Sequence, residues 1–319
     1  MAGKSLPEWG MAGFAVTVND VNTRCVVLEN NKNMEKQVHC NLTVASPAVA
    51  CQLLADTSGL PKERIKHAMV KGAVWLKRPG KKERRLRKAK FKLLPGDFVQ
   101  LFYDATVLAQ TPPDPTCIAN YDDYSVWFKP PWLLSQGSRY GDHCSLLRLA
   151  EKSNRTIDFK LIHRLDREAS GLILLAHNRN AAMLLSKLFQ ENKIEKRYFA
   201  EVQGKPEIPA NGLKLTNDLD DRSAYTEILS SSPGKTAKNT ILDIKLHTGR
   251  LHQIRRHLAD SGYPVEGDPK YGDKKLRGYY ELHLCAWKIS FLSPFTKETV
   301  SYQVPREKRP SFLSEIAAR

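Results

Sequence analysis

The stretch His163-Arg164-Leu165-Asp166-Arg167-Glu168-Ala169-Ser170-Gly171-Leu172 is a dense cluster of polar side chains at the edge of a predicted strand. The strand is the apolar run from Gly171 to Ala176. Asp166 has an arginine on each side and a histidine three positions earlier. Because nearby positive charge favours the ionised form of a carboxyl group, we expect Asp166 to be an anion. The cluster suits a nucleophile or general base, although an isolated Arg-x-Asp is more often a structural ion pair in a turn.

A second polar cluster runs from Thr248 to His257 and continues into a segment that ends Gly267-Asp268-Pro269-Lys270-Tyr271-Gly272. The spacing of its apolar residues by three and four predicts a helix with one buried side. Arg255 lies nearer to that side than Arg256 does. We therefore expect Arg255 to point inward.

These clusters resemble the motifs of one enzyme family. His163 to Leu172 is similar to the signature H-R-L-D-x-x-T-S-G-L of the RluA-type pseudouridine synthases, and Gly249 to Gly272 resembles their later motifs G-R-T-H-Q-I-R-x-H and G-D-P-x-Y-G. Three further stretches match in the same order: Val126 to Pro130, Lys196 to Ala200 and Leu282 to Thr296. The expected fold, reaction and residue roles are those that this resemblance implies.

The resemblance implies an α+β fold, with a mixed, largely antiparallel sheet flanked by helices and an active site in a basic cleft. It implies an RNA isomerase without a cofactor, which detaches a flipped-out uracil, turns it and rejoins it through C5. Asp166 would be the catalytic aspartate, acting either as nucleophile at C1′ or in a glycal route. Arg255 would pair with Asp166, Tyr198 would pack on the uracil, and Arg164 would act in substrate entry. The other expected substrate-binding residues are His163, Lys129, Arg250 and His252.

The chain departs from the family pattern at three positions. Ala169 replaces the usual Thr, Leu251 replaces the usual Thr or Ser, and Trp132 stands where the Lys-Pro turn normally continues to Gly. None of these changes removes a residue with a chemical role.

The N-terminal third carries a strongly basic run. Residues 77 to 92 contain ten Lys or Arg and one Glu, which gives +9 of the chain's net +16. Two predicted helices precede the run and a strand follows it, an order that resembles the S4-type RNA-binding domain. A solvated loop is the alternative, since most charge runs are solvated. The expected RNA contacts are Lys81, Lys82, Arg84, Arg85, Arg87 and Lys88.

The prolines from Thr111 to Pro115 predict a linker, because they cannot continue a helix or a central strand. The predicted organisation is an N-terminal extension (1–44), an S4-like domain (45–111), a linker (112–117) and a catalytic domain (118–319).

Composition excludes several other classes. No apolar run is long enough to span a membrane, and the first 14 residues lack the pattern of a secretory signal. The six cysteines lie far apart, so we expect reduced, structural thiols and no metal site. The default expectations are a cytoplasmic monomer and an RNA partner, either ribosomal RNA or tRNA, with ribosomal RNA favoured by the S4-like module.

Two other functions remain open at this stage. A non-catalytic RNA-binding protein that kept the fold would need only the basic charge. A uracil-releasing glycosidase could use the same nucleophile, but such enzymes usually place two carboxylates around the bond. Glu168 is the only acidic neighbour of Asp166 in sequence.

Overall fold

The computed structural model describes residues 16–20, 23–30, 35–272 and 281–313. They form two units. The first contains the described residues up to Thr111 together with Gly137–His143, and the second contains Pro112–Gln136 and the described residues from Cys144 onward. No helix within these residues is long and apolar enough to cross a membrane. The prediction that there is no secretory signal concerns the first 14 residues, which lie outside the residues that the structure describes.

The first unit is built on a six-stranded sheet and a two-stranded one. Its strands are β1 (Val16–Asp20), β2 (Thr23–Asn30), β3 (Glu35–Thr43), β4 (Ala48–Val49), β5 (Val74–Lys77), β6 (Arg84–Arg85), β7 (Lys92–Leu93) and β8 (Phe98–Asp104). The large sheet has the order β1-β2-β3-β8-β5-β6, and β4 pairs with β7. Since β3 pairs with β8 over seven residue pairs, the predicted extension 1–44 includes strands of the same unit as residues 45–111.

Three helices complete the first unit: α1 (Ala50–Ser58), α2 (Lys62–Val70) and α3 (Ala105–Ala109). The sequence predicted the first two, with Gly59 ending α1 in a left-handed conformation (φ 67°). In the sequence, Ser46 as a cap and Pro47 as a first position predict the start of α1, but Ala48 and Val49 pair with β7 and the helix begins only at Ala50. Leu54 of α1 and Ile65 of α2 are wholly buried in the core of this unit.

Cys25 and Cys40 form a disulfide, so the expectation of six reduced cysteines was wrong. The two residues are 15 positions apart, but antiparallel pairing of β2 with β3 places them directly opposite each other. Their Cα atoms are 4.2 Å apart. Cysteine spacing alone could not reveal a pair that depends on strand register.

The second unit is a ten-stranded sheet. Its strands are β9 (Thr116–Asn120), β10 (Tyr124–Lys129), β11 (Lys160–Leu161), β12 (Ser170–Ala176), β13 (Ile194–Gln203), β14 (Leu213–Leu215), β15 (Thr226–Pro233), β16 (Asn239–Leu246), β17 (Leu284–Leu292) and β18 (Thr299–Gln303). The main order is β14-β15-β16-β13-β17-β12-β10-β9, with β11 beside β12 and β18 beside β17. Its described pairings are antiparallel except β12 with β17.

Helices cover both faces of this sheet: α4 (Leu146–Ser153), α5 (Arg179–Gln190) and α6 (Gln253–Asp260). Alternation along β12 sends Ile173 and Leu175 into the core shared with α4 and α6, and Leu172 and Leu174 into the core shared with α5. This two-sided burial explains why β12 carries no polar side chain after Ser170. The predicted fold class, a mixed and largely antiparallel sheet with helices, is confirmed. The spacing of Met183, Leu184 and Leu188 predicts an apolar stripe along α5, but Met183 is 63% exposed.

Gly171 fixes the start of β12 against its neighbour. It has φ 124°, and an added Cβ would lie 2.4 Å from the carbonyl oxygen of Ala286 on β17. A side chain would therefore force these strands apart. The parallel pairing of β12 with β17 thus fixes the position of the first residues of β12, which directly follow the segment that contains Asp166.

Candidate active site

Asp166 lies in the segment between β11 and β12, on the wall of a cleft of about 850 Å³. Such a volume is within the range of small-molecule sites. The cleft brings together most of the residues that the resemblance singled out, from both motif clusters and from β13. The predicted residues among its lining are His163, Arg164, Asp166, Tyr198, Arg250, His252 and Arg255.

Arg255 joins two carboxylates at the base of this cleft. Its Nη1 donates to Oδ2 of Asp166 at 3.0 Å, while Nε and Nη2 donate to the two carboxylate oxygens of Asp268 at 2.7 and 2.8 Å. Helix α6 places it there, because Arg255 shares the buried side of the helix with Ile254 and Leu258. The inward orientation expected from spacing is observed.

The Arg255 and Asp268 pair is buried, with side chains 2% and 0% exposed. Burial acts to lower the pKa of Arg255, but the hydrogen bonds that it donates to Asp268 and Asp166 outweigh burial and raise that pKa. Burial acts to raise the pKa of Asp268, yet Arg255 and the N–H groups of Tyr271 and Lys270 hold it below its ordinary value. A buried pair of this kind needs both partners, because either alone would be an uncompensated charge.

His252 faces the other oxygen of Asp166. Its Nε2 lies 3.9 Å from Oδ1 of Asp166, and its Nδ1 lies 3.1 Å from the Tyr271 hydroxyl. Burial lowers the pKa of His252; Arg255 and Lys270 add to this, and Asp166 opposes it. The imidazole is thus neutral at neutral pH, and Arg255 is the principal cationic partner of Asp166.

Tyr198 on β13 is buried, and its ring lines the cleft. Burial, the negative charge of Asp166 and Cys285 together raise the pKa of its hydroxyl. Tyr198 therefore keeps its proton at neutral pH. It can donate a hydrogen bond, whereas a resting phenolate is excluded.

The ammonium group of Lys129, which the resemblance assigns to substrate binding, contacts backbone carbonyl groups of the protein. It is fully buried, and its Nζ donates to the carbonyl oxygens of Pro130, Leu133 and Arg167 at 3.0, 2.8 and 3.2 Å. Burial lowers its pKa to about 7, against opposing effects of Glu168 and Asp166. With its donors turned to backbone carbonyls, Lys129 holds the turn after β10 against the residue following Asp166 and does not reach out to phosphate or base.

Ser135 holds the residue before Asp166 in the same way. Its hydroxyl donates to the carbonyl oxygen of Leu165 at 2.8 Å and accepts from the N–H of Leu165 at 3.0 Å. The backbone on both sides of Asp166 is thus tied to one segment of chain after β10. Sequence reasoning missed this role, because nothing in a lone serine indicates a partner 30 positions away.

His163 forms part of the cleft wall. Its Nε2 accepts a hydrogen bond from the N–H of Leu174 at 3.1 Å, and its ring stacks on Phe189 at 4.4 Å. Burial, with a smaller effect of Lys196, lowers its pKa to about 3. The ring is neutral and its Nε2 is engaged by the backbone, while its contact with substrate stays a prediction.

Arg164 and Arg250 lie at the cleft surface. Arg164 is exposed, whereas Nε of Arg250 donates to the carbonyl oxygen of Ser223 at 3.0 Å. The loop carrying Arg250 is shaped by Gln253, whose Oε1 accepts from the Arg250 N–H and the Thr248 hydroxyl at 3.0 and 2.7 Å. Gln253 belongs to the motif but was given no role from sequence.

The basic run of the first unit divides into two groups. Arg85 and Arg87 both pair with Asp142, and each also donates to a backbone carbonyl, so both have partners within the protein and their contact with RNA stays a prediction. Asp142 belongs to Gly137–His143, which joins this unit from later in the chain. The remaining four predicted contacts are exposed: Lys81, Lys82, Arg84 and Lys88.

Asp268 is a third residue of this site, after Ser135 and Gln253, to which sequence reasoning gave no role. It stands in the quoted Gly-Asp-Pro-x-Tyr-Gly stretch, but only the structure shows that its carboxylate aligns Arg255. Among the described residues, no group of three or more His, Cys, Asp or Glu side chains is placed to hold a metal ion.

Comparison with known proteins finds similar chains of one kind. Residues 123–260 match the family model described as RNA pseudouridylate synthase. The ribosomal large subunit pseudouridine synthase C of Buchnera aphidicola is 32% identical over 206 residues, which cover 58% of this chain and 65% of that protein. Its namesake in Rickettsia bellii is 34% identical over 164 residues, covering 47% and 54%. The matched part thus spans between about half and two thirds of these relatives.

A more distant relative aligns over almost its full length. The protein of the same name in Vibrio cholerae is 26% identical over 321 residues, covering 91% of this chain and 96% of that protein. The solved structure of human RNA Pseudouridylate Synthase Domain Containing 1 has a TM-score of 0.52 at 20% identity, covering 64% of this chain and 89% of its own, which is a likeness of fold. Residues 123–260 therefore carry a domain of the RNA pseudouridylate synthase family, and the chain is similar to the synthases named above.

Proposed function

We propose that the chain isomerises uridine to pseudouridine in the RNA of the large ribosomal subunit, with Asp166 as the catalytic carboxylate. The observation that carries the proposal is the Asp166 carboxylate on the cleft wall, hydrogen-bonded to Arg255, which Asp268 in turn aligns. The names of the curated relatives support ribosomal RNA as the substrate.

The reaction balances within one nucleotide. The bond between N1 and C1′ breaks and a bond between C5 and C1′ forms, while C5 loses a proton and N1 gains one. No electrons enter or leave. Asp166 serves either by attacking C1′ or by assisting a glycal route, and each role needs an ionised carboxylate beside the ribose.

Arg255 supports this chemistry by orientation. It takes Oδ2 of Asp166 in a hydrogen bond, which leaves Oδ1, on the side of His252, for the ribose. Because Asp268 engages the other two guanidinium donors, the direction of Nη1 is set before substrate binds. Preorganised charge of this kind lowers the cost of reaching a transition state.

Tyr198 and Arg164 have complementary roles in the proposal. The Tyr198 ring packs against the detached uracil, and its protonated hydroxyl donates to the base as it turns. Arg164, exposed beside the cleft, takes the place that the target uridine leaves in the RNA, since a stacked base must be flipped out to react.

The test uses an in vitro transcript of a bacterial large-subunit ribosomal RNA with tritium at C5 of uridine. We expect the full chain to release tritium to water and to leave pseudouridine in the RNA. Asp166→Asn should release none, while its affinity for the transcript stays close to wild type, because phosphate contacts supply most of the binding.

Asp158→Asn is the matched control, since Asp158 is an exposed carboxylate of the same unit that pairs with Lys160. This variant should keep full turnover. Turnover by Asp166→Asn would refute the assigned role. Binding without turnover by the wild-type chain would favour the non-catalytic RNA-binding function, and free uracil among the products would favour the glycosidase.

A further inference from the structure

We infer that Trp132 and Arg167 form a stacking site for an unpaired RNA base next to the target nucleotide. This inference rests on the proposed function and adds a subsite to it. Two observations support the inference. Trp132 is exposed although its backbone has a conformation that bulky residues rarely adopt, and it contacts Arg167, which directly follows Asp166.

Trp132 is unusual both in backbone and in exposure. Its φ is 66°, in the left-handed region where bulky side chains are rare. It follows Pro131 in a turn, and a positive φ after proline is the pattern of a type II turn, which favours glycine. Its side chain is nevertheless 42% exposed. Packing in the core therefore does not account for a tryptophan here.

The turn that carries Trp132 is rigidly held. Leu133 is wholly buried, and Lys129 donates to the carbonyl oxygens on both sides of the turn, at Pro130 and Leu133. The same ammonium group donates to the carbonyl oxygen of Arg167. The indole is thus presented on a fixed support that is tied to the Asp166 segment.

Arg167 completes the site. The centre of its guanidinium group lies 5.8 Å from the centre of the Trp132 ring, within the range of a cation–π contact. Arg164 and Arg167, on either side of Asp166, are both exposed. Indole and guanidinium planes are the surfaces on which unpaired bases stack, and the positive charge matches the RNA backbone. These features favour a nucleotide as the occupant over an apolar protein surface.

The test compares Trp132→Gly, Trp132→Phe and Tyr121→Ala. Glycine relieves the backbone conflict and removes the ring, and the melting temperature shows whether weaker binding comes from a less stable fold. Phenylalanine keeps a stacking surface. Tyr121 is the control, because it is a 49% exposed aromatic residue of the same unit that lies beyond the opposite end of β10 from Lys129.

The measurements are affinity for the large-subunit transcript at several salt concentrations, kcat and KM from tritium release, and melting temperature. Trp132→Gly should weaken binding by roughly 5- to 150-fold, the range that corresponds to one stacked base. KM should rise while kcat stays close to wild type, and the melting temperature should stay level or rise. Trp132→Phe should keep most of the affinity, and Tyr121→Ala should bind like wild type.

The dependence of affinity on salt separates stacking from phosphate contact. Loss of stacking leaves the log–log slope unchanged, whereas loss of a phosphate contact reduces it by about 0.7 to 0.9. Wild-type affinity of Trp132→Gly, an equal loss in Tyr121→Ala, or a reduced slope would each overturn the inference. A wild-type chain that binds but forms no pseudouridine would refute the proposed function, and the binding comparison would still decide the stacking site.

Discussion

Replacing Asp268 by asparagine tests whether the buried pair with Arg255 supports both the fold and the site. The amide oxygen of the introduced asparagine can replace Oδ1, which accepts the N–H groups of Lys270 and Tyr271. Its NH₂ group then takes the place of Oδ2 and faces the Nε–H of Arg255. Two hydrogen-bond donors then face each other where Oδ2 accepts a hydrogen bond from Nε in the wild type. Arg255 remains buried with its charge only partly matched.

The expected loss follows from that burial. Breaking a buried ion pair by removing one partner costs about 3 to 5 kcal/mol. Because Asp166 still accepts one hydrogen bond from Arg255, we expect Asp268→Asn to lower the free energy of unfolding by about 3 kcal/mol, the lower end of this range. The same change frees the guanidinium group to shift, and kcat should fall roughly 10- to 100-fold through misalignment of Asp166.

Urea unfolding of the second unit is followed by tryptophan fluorescence in a background that carries Trp9→Phe and Trp75→Phe, since the three other tryptophans, Trp127, Trp132 and Trp287, all lie in that unit. The control is Asp220→Asn. Asp220 pairs with Arg256, the neighbour of Arg255 on the same helix, but in an exposed position, so this variant should unfold like wild type. Equal unfolding midpoints for Asp268→Asn and wild type would refute the reasoning.

The contribution of Asp268 to the free energy of unfolding depends on pH, and its direction of change follows from the pKa of Asp268. The folded pKa of Asp268 is below its unfolded value of about 3.9. Its contribution to stability is therefore fully present above that unfolded value and is lost as the pH falls through the folded pKa. The stability difference between wild type and Asp268→Asn should narrow at acid pH. A constant difference down to about pH 2 would contradict this account.

Two further changes separate structural cations from RNA contacts. Lys129→Met leaves one buried and two partly buried carbonyl groups without this donor. It should reduce stability by about 1 to 3 kcal/mol and lower kcat, with the salt dependence of RNA binding unchanged. In the first unit, replacing four exposed residues by serine should weaken RNA binding and reduce the log–log slope by about 0.7 to 0.9 per lost contact: Lys81, Lys82, Arg84 and Lys88. Arg87→Gln should mainly lower the melting temperature, because it breaks the pair with Asp142.

The outcomes that contradict these predictions are distinct. If Lys129→Met reduces the log–log slope of RNA affinity against salt, Lys129 contacts a phosphate group of the RNA, as a substrate-binding residue would. An unchanged slope in the fourfold variant would mean that the exposed residues are only solvated. A fall in slope without loss of stability in Arg87→Gln would place that arginine on the RNA instead of on Asp142.

Sequence alone determined the features that depend on neighbours along the chain. The apolar spacing of α2 and α6, the stop at Gly59 and the alternating or apolar strands each predicted an element whose position the structure reproduces within a few residues. Spacing also predicted that Arg255 would face inward. The motif order then indicated the family, and with it the expectation that Asp166 and Arg255 meet, although they are 89 positions apart.

Tertiary structure decided what each polar side chain binds. Lys129, Arg85 and Arg87 are indistinguishable in sequence from cations that reach RNA, yet each is held by carbonyl or carboxylate groups supplied by distant segments. The same holds for Ser135 beside Asp166, for Asp268 behind Arg255, and for Cys25 opposite Cys40. A buried charge or thiol takes its role from the groups that surround it, and those groups are brought together by strand register and packing, which no local pattern in the chain encodes.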